Sequence, residues 1–272
     1  MVPDFLYGTA WKEERTQALT ELAIRMGFRG IDTANQRRHY VEAAVGEGLA
    51  ASYRAGVVTR ADMFLQTKFT YQHGQDHRLP YDPAARLSTQ VAQSLTSSLE
   101  HLGTDYVDSY VLHGPASGHG WTDHDDAAWA AMVRERDAGR VRLVGVSNVS
   151  RRHLEQMAAG AGTPAVVQNR CFARLGWDRA VRSFCGERRI VYQGFSLLTA
   201  NPEVLRHPLV ASIAARARAT PAQVVFRLAR AIGIVPLTGT SDAAHMKQDL
   251  DSLDLPLSAE EVRAMESLGA DR

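Results

Sequence analysis

The chain has 272 residues, of which 45% are hydrophobic and 22% charged, and its formal net charge is +1. This composition is typical of a globular protein with a substantial core, and it excludes intrinsic disorder and collagen. The balanced charge argues against a dedicated nucleic-acid partner, because such a protein needs a basic face to neutralise phosphates.

The cysteine content and the first residues predict a cytoplasmic protein. Cys171 and Cys185 are the only cysteines, and two thiols cannot cross-link a domain of this size, so we expect a reducing compartment. Residues 1–14 lack a basic segment followed by an apolar one, so no signal peptide is expected. No run of about 18 apolar residues occurs, so we expect no membrane partner.

Short apolar runs alternate with longer amphipathic stretches along the whole chain. The stretches have apolar residues every three or four positions, as in 19–26 and 91–102, which predicts helices. Strands that alternate with helices imply crossover connections and a parallel sheet. With no linker between units of about 34 residues, we predict one domain over 1–272. The predicted strands, in chain order, are 5–7, 30–32, 63–67, 107–112, 143–146, 166–168, 190–193 and 234–236.

Capping residues support the predicted helices. Ser150 is positioned to cap a helix over 151–159. Thr220 precedes a proline and has Gln223 three residues later, which is a capping-box pattern. Gly27 and Gly103 stand where a helix must end before the next strand.

Both an eight-stranded barrel and a doubly wound sheet contain alternating strands and helices, and the polar residues distinguish them. Polar side chains follow seven of the strands directly. In a barrel those ends converge on one mouth, whereas an open sheet spreads them along an edge. The glycine fingerprint of a dinucleotide-binding sheet is also missing after the first strand. We therefore predict a single (β/α)8 TIM barrel of the α/β class, with its active site at the carboxyl ends of the strands.

Four ionisable residues near these ends form a candidate catalytic group. Asp32, Lys68 and His113 end three consecutive strands, and Tyr40 follows the first of them. A buried lysine needs a countercharge, which Asp32 can supply. A nearby cation favours phenolate, so we expect a lowered pKa for the tyrosine, which could then exchange a proton with a carbonyl oxygen. This group has no hydride source, so a cofactor must bring one.

The sequence resembles the aldo-keto reductases, which are barrel enzymes that use nicotinamide cofactors. The resemblance extends over nearly the whole chain and depends on eight motifs in the same order. They are GFRGIDTA (27–34), VGEGL (45–49), LQTKF (65–69), DYVDSYVLHGP (105–115), GVSN (145–148), PAVVQNR (164–170), VYQGFSLL (191–198) and PLTGTSDAAHMKQDL (236–250).

The resemblance implies a site and a reaction. The family's catalytic tetrad corresponds to Asp32, a tyrosine, Lys68 and His113, and the implied reaction is reduction of an aldehyde or ketone with hydride from NAD(P)H. Ser147, Asn148 and Gln168 would hold the carboxamide, and Phe195 would stack under the nicotinamide. The full set of implied cofactor-binding residues is Thr9, Ser147, Asn148, Gln168, Phe195, Ser196, Leu198, Thr238, Gly239, Thr240, His245 and Asp249.

The segment that carries the tyrosine departs from the family pattern. This chain has two extra residues between Asp32 and Val45, and counting back from Val45 places His39 in the tyrosine position. We expect Tyr40 to present its hydroxyl there, because no other tyrosine is close in sequence. If His39 occupies the position instead, the proton donor has a pKa near 6.5 and the pH profile moves accordingly.

A second departure lies at the adenosine end of the cofactor site. Many family members bind the 2′-phosphate with Lys-Ser and then Arg, and the corresponding residues here are Leu237, Thr238 and His245. NADP(H) remains the expected cofactor, and NAD(H) is an alternative. Lys247 and the backbone of 239–241 are candidates to compensate.

The predicted substrate pocket has few aromatic walls. Trp11, His39, Phe69 and Gly114 are expected to line it, and the aromatic residues that are common in the family are replaced by Gly114 and Thr70. Few residues follow the last predicted helix, so we expect a short C-terminal loop and a roomy pocket, with Trp121 and the 114–126 loop as a cover. The histidines and acids of 119–126 lack a zinc spacing, so no metal is predicted.

Three functions are compatible with this sequence. The leading hypothesis is a reductase of small carbonyl compounds that acts as a monomer or a small homo-oligomer. The altered tyrosine segment also fits a non-enzymatic cofactor sensor or regulatory subunit. A lyase that forms a Schiff base on Lys68 is disfavoured by the pairing with Asp32 and by GVSN.

Overall fold

A computed structural model describes residues 1–269 of the chain, so the last three residues of the predicted domain lie outside it. Within it, eight parallel strands close into a barrel in sequence order, which confirms the predicted (β/α)8 fold. The strands are β1 Leu6–Gly8, β2 Gly30–Asp32, β3 Phe64–Phe69, β4 Val107–Leu112, β5 Val141–Ser147, β6 Val166–Arg170, β7 Val191–Phe195 and β8 Ile234–Thr238.

Helices form the outer layer and bury their apolar faces against the barrel. On the first helix, Leu19, Ala23 and Ile24 are buried, as the spacing of apolar residues predicts. The helices are α1 Thr16–Met26, α2 Glu42–Arg54, α3 Leu87–Leu102, α4 Asp123–Asp137, α5 Arg151–Ala159, α6 Arg179–Glu187, α7 Pro202–Leu205, α8 Pro208–Ala217, α9 Pro221–Ala231, α10 Ala243–Asp251 and α11 Ala259–Ser267. No helix within 1–269 is both long and apolar enough to cross a membrane.

The predicted helix ends are confirmed in detail. The Ser150 side chain accepts the backbone N–H of His153 at the start of α5. The capping box of Thr220 forms at the start of α9. Gly27 and Gly103 end α1 and α3 with φ of 112° and 63°, in the left-handed region that favours glycine. These residues fix where each helix ends and the connection to the following strand begins.

Several strands are longer than the apolar runs that predicted them. β6 continues past Gln168 to Arg170, and β7 continues to Phe195. The added residues lie at the carboxyl ends, where the barrel opens and polar side chains no longer face a closed core. This extension matters for function, because it adds inward-facing positions to the mouth.

Candidate active site

A cavity of about 790 Å³ opens at the carboxyl ends of the strands. Its wall contains most of the residues predicted for the site, contributed by the strand ends and by the loops that follow them. The predicted residues in the wall are Trp11, Asp32, His39, Tyr40, His113, Ser147, Asn148, Gln168, Phe195, Ser196, Leu198, Thr238, Gly239 and Thr240.

An ion pair lies at the base of the cavity. Lys68 is fully buried, and its Nζ donates to both carboxylate oxygens of Asp32 at 2.7 Å and to the backbone oxygen of Thr33 at 2.8 Å. Burial lowers the pKa of Lys68, and the carboxylate of Asp32 opposes that shift. The ammonium is therefore enclosed and fully engaged, which closes it to Schiff-base chemistry with a substrate in the cavity.

Three glutamine side chains form a hydrogen-bonded cluster with Asp32 inside the barrel. The Nε2 atoms of Gln66 and Gln168 donate to Asp32 Oδ1 at 2.7 and 3.0 Å, and both also donate to Gln193 Oε1 at 2.8 and 2.9 Å. Gln193 Nε2 donates in turn to Gln66 Oε1 at 3.0 Å. Buried polar groups need such partners, so these amides hold the carboxylate in one orientation.

The 35–40 loop decides which side chain stands above the ion pair. Backbone N–H groups of His39 and Tyr40 both donate to the Gln36 oxygen, at 3.2 and 3.0 Å, which winds the extra residues into a compact turn. The Gln36 side chain then donates to the Gly74 oxygen at 2.6 Å. This contact fastens the turn to the loop after β3.

The turn places Tyr40 over the ion pair and turns His39 away from it. Lys68 Nζ lies 5.4 Å from the centroid of the Tyr40 ring, and the rings of Tyr40 and His113 meet edge to face at 6.1 Å. The His39 ring packs instead on Trp11, with 4.0 Å between centroids. The geometry thus groups Tyr40 with Asp32, Lys68 and His113.

The pKa of Tyr40 is raised, contrary to the expectation from the sequence. Burial disfavours the phenolate, and the charge of Asp32 adds to the effect. The lowering expected from Lys68 does not prevail, because burial of the phenol has the larger effect. The phenol is therefore protonated throughout the neutral range.

His113 is neutral and fixed from one side. Burial and the charge of Lys68 lower the pKa of its imidazole to about 3. Its Nδ1 lies 2.7 Å from Thr70 Oγ1, while the Asn148 amide donates to its backbone oxygen at 2.8 Å. The imidazole therefore faces the cavity without a charge.

Amide and hydroxyl groups cluster at the ends of β5 and β6, beside an aromatic ring on β7. The Ser147 hydroxyl donates to the Gln168 backbone oxygen at 2.6 Å, and the Asn148 amide donates to Ser147 Oγ at 3.2 Å. Asn148 is in the left-handed region at φ 55°, which turns its side chain back over the strand end. Phe195 lines the same wall.

The loop after β8 continues the cavity away from the ion pair. Thr238, Gly239 and Thr240 line this end, and the Lys12 ammonium donates to the Gly239 backbone oxygen. His245 and Asp249 lie on α10 and do not form part of the wall. The compensating cation predicted at 247 is paired with Asp251 on the same helix.

Four further predicted residues lie outside the cavity wall. Phe69 is fully buried and packs on Tyr71 and Tyr81, because the residue after the inward-facing Lys68 points outwards. The Thr9 hydroxyl donates to the Asp32 backbone oxygen and is buried. Gly114 and Trp121 are absent from the cavity wall, and the predicted covering loop becomes helix from residue 123.

Two cations in the wall, Lys12 and Arg170, were missed by the sequence analysis. Lys12 directly follows a residue that was predicted for the pocket, and Arg170 lies two residues beyond Gln168. A strand alternates its side chains, so Gln168 and Arg170 share the inward face. That alternation was the available signal for Arg170.

The mouth of this eight-stranded parallel barrel combines a buried Lys–Asp pair with a tyrosine, a neutral histidine and an amide cluster. This arrangement is typical of barrel oxidoreductases. The sequence profile described as "Aldo/keto reductase family" matches residues 6–200. The chain belongs to this family of nicotinamide-dependent carbonyl reductases.

Similar proteins agree with this assignment. An aldo-keto reductase from Mycolicibacterium vanbaalenii is 34% identical over 248 residues, which cover 90% of this chain and 80% of that protein. An aldo/keto reductase structure from Brucella melitensis superposes with a TM-score of 0.82 at 27% identity, covering 98% and 95% of the two chains. A Bombyx mori aldo-keto reductase in complex with NADP, 23% identical, has the same fold, with a TM-score of 0.83 and coverage of 100% and 90%.

Proposed function

We propose that this protein reduces an aldehyde or ketone to the alcohol, with NADP(H) as cofactor and Tyr40 as the proton donor. The observation that carries the proposal is the position of Tyr40, whose ring stands 5.4 Å from the buried Lys68 ammonium and 6.1 Å from the His113 ring. A neutral phenol and a neutral imidazole are both hydrogen-bond donors, so together they suit a carbonyl oxygen.

The wall residues fit a nicotinamide cofactor. Amide and hydroxyl groups at Ser147, Asn148 and Gln168 match a carboxamide, which both donates and accepts hydrogen bonds. The Phe195 ring lines the cavity and is suited to stacking against a flat heterocycle. When bound, the cofactor supplies the hydride, which no side chain of the site can provide.

Each catalytic side chain has a separate task in this proposal. Tyr40 gives its proton to the carbonyl oxygen as negative charge develops there. His113 donates a second hydrogen bond to the same oxygen and orients the carbonyl. Lys68 stabilises the tyrosinate that proton transfer leaves behind, and Asp32 with its glutamines keeps the ammonium below the ring.

Thr70 acts on His113 as a positioning residue. A neutral imidazole carries one ring proton, and the Thr70 hydroxyl has no other hydrogen-bond partner within residues 1–269, so we assign the hydroxyl as the donor to Nδ1. The ring proton then resides on Nε2. Thr70 therefore replaces a bulky pocket residue of the family with a hydroxyl that selects the tautomer able to donate to substrate.

Thr70→Val is expected to lower kcat about tenfold, because the imidazole loses the bond that fixes its tautomer. The Kd of the cofactor should stay unchanged, and Thr70→Ser should retain turnover. The ring 15N shifts of His113 report the protonated nitrogen directly. A wild-type tautomer and wild-type kcat in the valine variant would contradict this role.

We further propose that the protein discriminates weakly between NADPH and NADH. Replacement of the usual lysine and arginine removes charge-assisted hydrogen bonds of about 1.5–3 kcal/mol each. Lys247 is held by Asp251, and the Asp242 carboxylate caps α10 at 2.9 Å from the His245 N–H. The negative charge of Asp242 at the start of α10 would repel a 2′-phosphate bound nearby.

Titration of the protein with both cofactors, followed by their fluorescence, tests this proposal together with the main one. We expect both to bind, NADPH more tightly by about tenfold or less, and an activated aldehyde to be reduced with either. A preference of a hundredfold or more would show that another cation binds the 2′-phosphate. Cofactor binding without turnover across a carbonyl panel would instead support the sensor hypothesis.

A further inference from the structure

Arg170 is a cation of the cavity wall that the proposed chemistry does not use. Gln168 points into the barrel, where its Nε2 donates to Asp32 at 3.0 Å. Arg170 lies two residues further along β6 and thus on the same face, nearer to solvent. It pairs in register with Phe195 on β7, so its side chain stands beside the ring at the mouth.

The other charged side chains of the wall have polar partners, and Arg170 does not. Asp32 is paired with Lys68, and Lys12 donates to the Gly239 oxygen. Over residues 1–269, the Arg170 guanidinium makes no hydrogen bond or ion pair. Its contact is with the ring of Phe195, 5.6 Å from the centroid. A cation–π contact orients a guanidinium without using its N–H donors.

The charge balance of the cavity favours an anion. The one carboxylate in the wall, among the residues that the structure describes, is neutralised by Lys68, whereas Lys12 and Arg170 form no ion pair with any described acid. Low pKa values leave both His39 and His113 uncharged at neutral pH. A concave wall with net positive charge raises the local concentration of anions.

We propose that Arg170 binds a carboxylate or phosphate group inside the cavity, carried by the carbonyl substrate or by the cofactor. The planar fork of a guanidinium matches both groups through two parallel hydrogen bonds. In the substrate arm, which rests on the proposed reductase function, the protein prefers carbonyl compounds with an acidic group. In the cofactor arm, Arg170 contacts a phosphate of the dinucleotide.

A matched pair of aldehydes tests the substrate arm. We would measure kcat/KM for 4-carboxybenzaldehyde and for its uncharged amide, 4-formylbenzamide, with wild-type protein, Arg170→Met and Arg170→Lys. The methionine variant should lose about tenfold on the acid and little on the amide, because an exposed guanidinium contributes at the lower end for a charge-assisted bond. The lysine variant should retain part of the preference.

Arg174→Met is the matched control. Arg174 is also exposed and also lies against an aromatic ring, that of Phe172 at 4.8 Å, but it is outside the cavity wall. Its replacement should leave both substrates and the cofactor Kd unchanged. Equal losses in the two methionine variants would overturn the proposal, since they would reflect net charge and not the site.

Calorimetric binding of benzoate and benzamide to the NADP+ complex gives a readout without turnover. Selective loss of benzoate binding and of acid turnover in Arg170→Met supports the substrate arm. A Kd for NADPH that rises about tenfold, with acid and amide turnover falling together, supports the cofactor arm. No change in any of these measurements overturns the proposal. Benzoate binding that needs Arg170, in a protein that reduces neither aldehyde, would support the anion site and contradict the reductase function.

Discussion

Lys68→Met is expected to lower kcat by at least about a hundredfold while the Kd of the cofactor changes little. The ammonium is the group that stabilises the tyrosinate after proton transfer, and it is enclosed at 2.7 Å from Asp32. The same substitution leaves a buried carboxylate without its countercharge, which costs about 3–5 kcal/mol of folding free energy. Activity and thermal unfolding must therefore be measured together.

The double variant Asp32→Asn/Lys68→Met separates chemistry from stability. It removes both charges, so we expect most of the lost stability to return, since a neutral replacement of a buried ion pair is often tolerated. Turnover should stay at the level of the single variant. Recovery of turnover along with stability would show that the ion pair is only structural and that the proposed role of Lys68 is wrong.

Tyr40→Phe should lower kcat by about 10²–10⁴, the usual contribution of a positioned proton donor, without loss of cofactor binding. His39→Asn is the matched comparison, because His39 is adjacent in sequence and lines the same cavity but packs on Trp11. We expect that variant to change KM more than kcat. The reverse pattern would transfer the donor role to His39.

The dependence of the reduction rate on pH independently distinguishes Tyr40 from His39 as the proton donor. A proton donor must be protonated, so the rate falls as the pH rises through its pKa. Burial raises the pKa of Tyr40 above the usual value of about 10, so the rate should be sustained through neutral and mildly alkaline pH. Burial and Arg38 lower the pKa of His39 below the usual imidazole value, so with a histidine donor the rate would already have fallen at neutral pH.

The barrel and most of the site could be predicted because both follow from local patterns. Apolar runs located every strand, and parallel strands in a closed barrel bring their carboxyl ends to one mouth. Polar residues at those ends, such as His113 and Asn148, therefore had to converge. The choice of Tyr40 over His39 depended on how the 35–40 loop turns, which required the contact between Gln36 and Gly74.

Other features depend on three-dimensional neighbours that no local pattern contains. Gln66 and Gln193 are hidden in apolar runs, and closure of the barrel brings their side-chain amides into hydrogen-bond contact. The pKa of Tyr40 is raised mainly by burial, and the sequence reveals only the charged neighbours. Arg170 was missed because the predicted strand stopped at Gln168, two residues before it.

The hydrogen bonds among Asp32, Gln66, Gln168 and Gln193 also fix the orientation of the side-chain amides at the base of the cavity. A carboxylate can only accept, so both Gln66 and Gln168 must turn their NH2 groups toward Asp32. Within residues 1–269 no group donates to Gln168 Oε1, which is therefore the end of that amide left for the cavity. The charge on Asp32 thus fixes the polarity of an amide one layer above it. A carboxamide that binds to Gln168 Oε1 must donate its NH2 group. The buried Asp32 carboxylate therefore determines the orientation of the ring that carries this carboxamide.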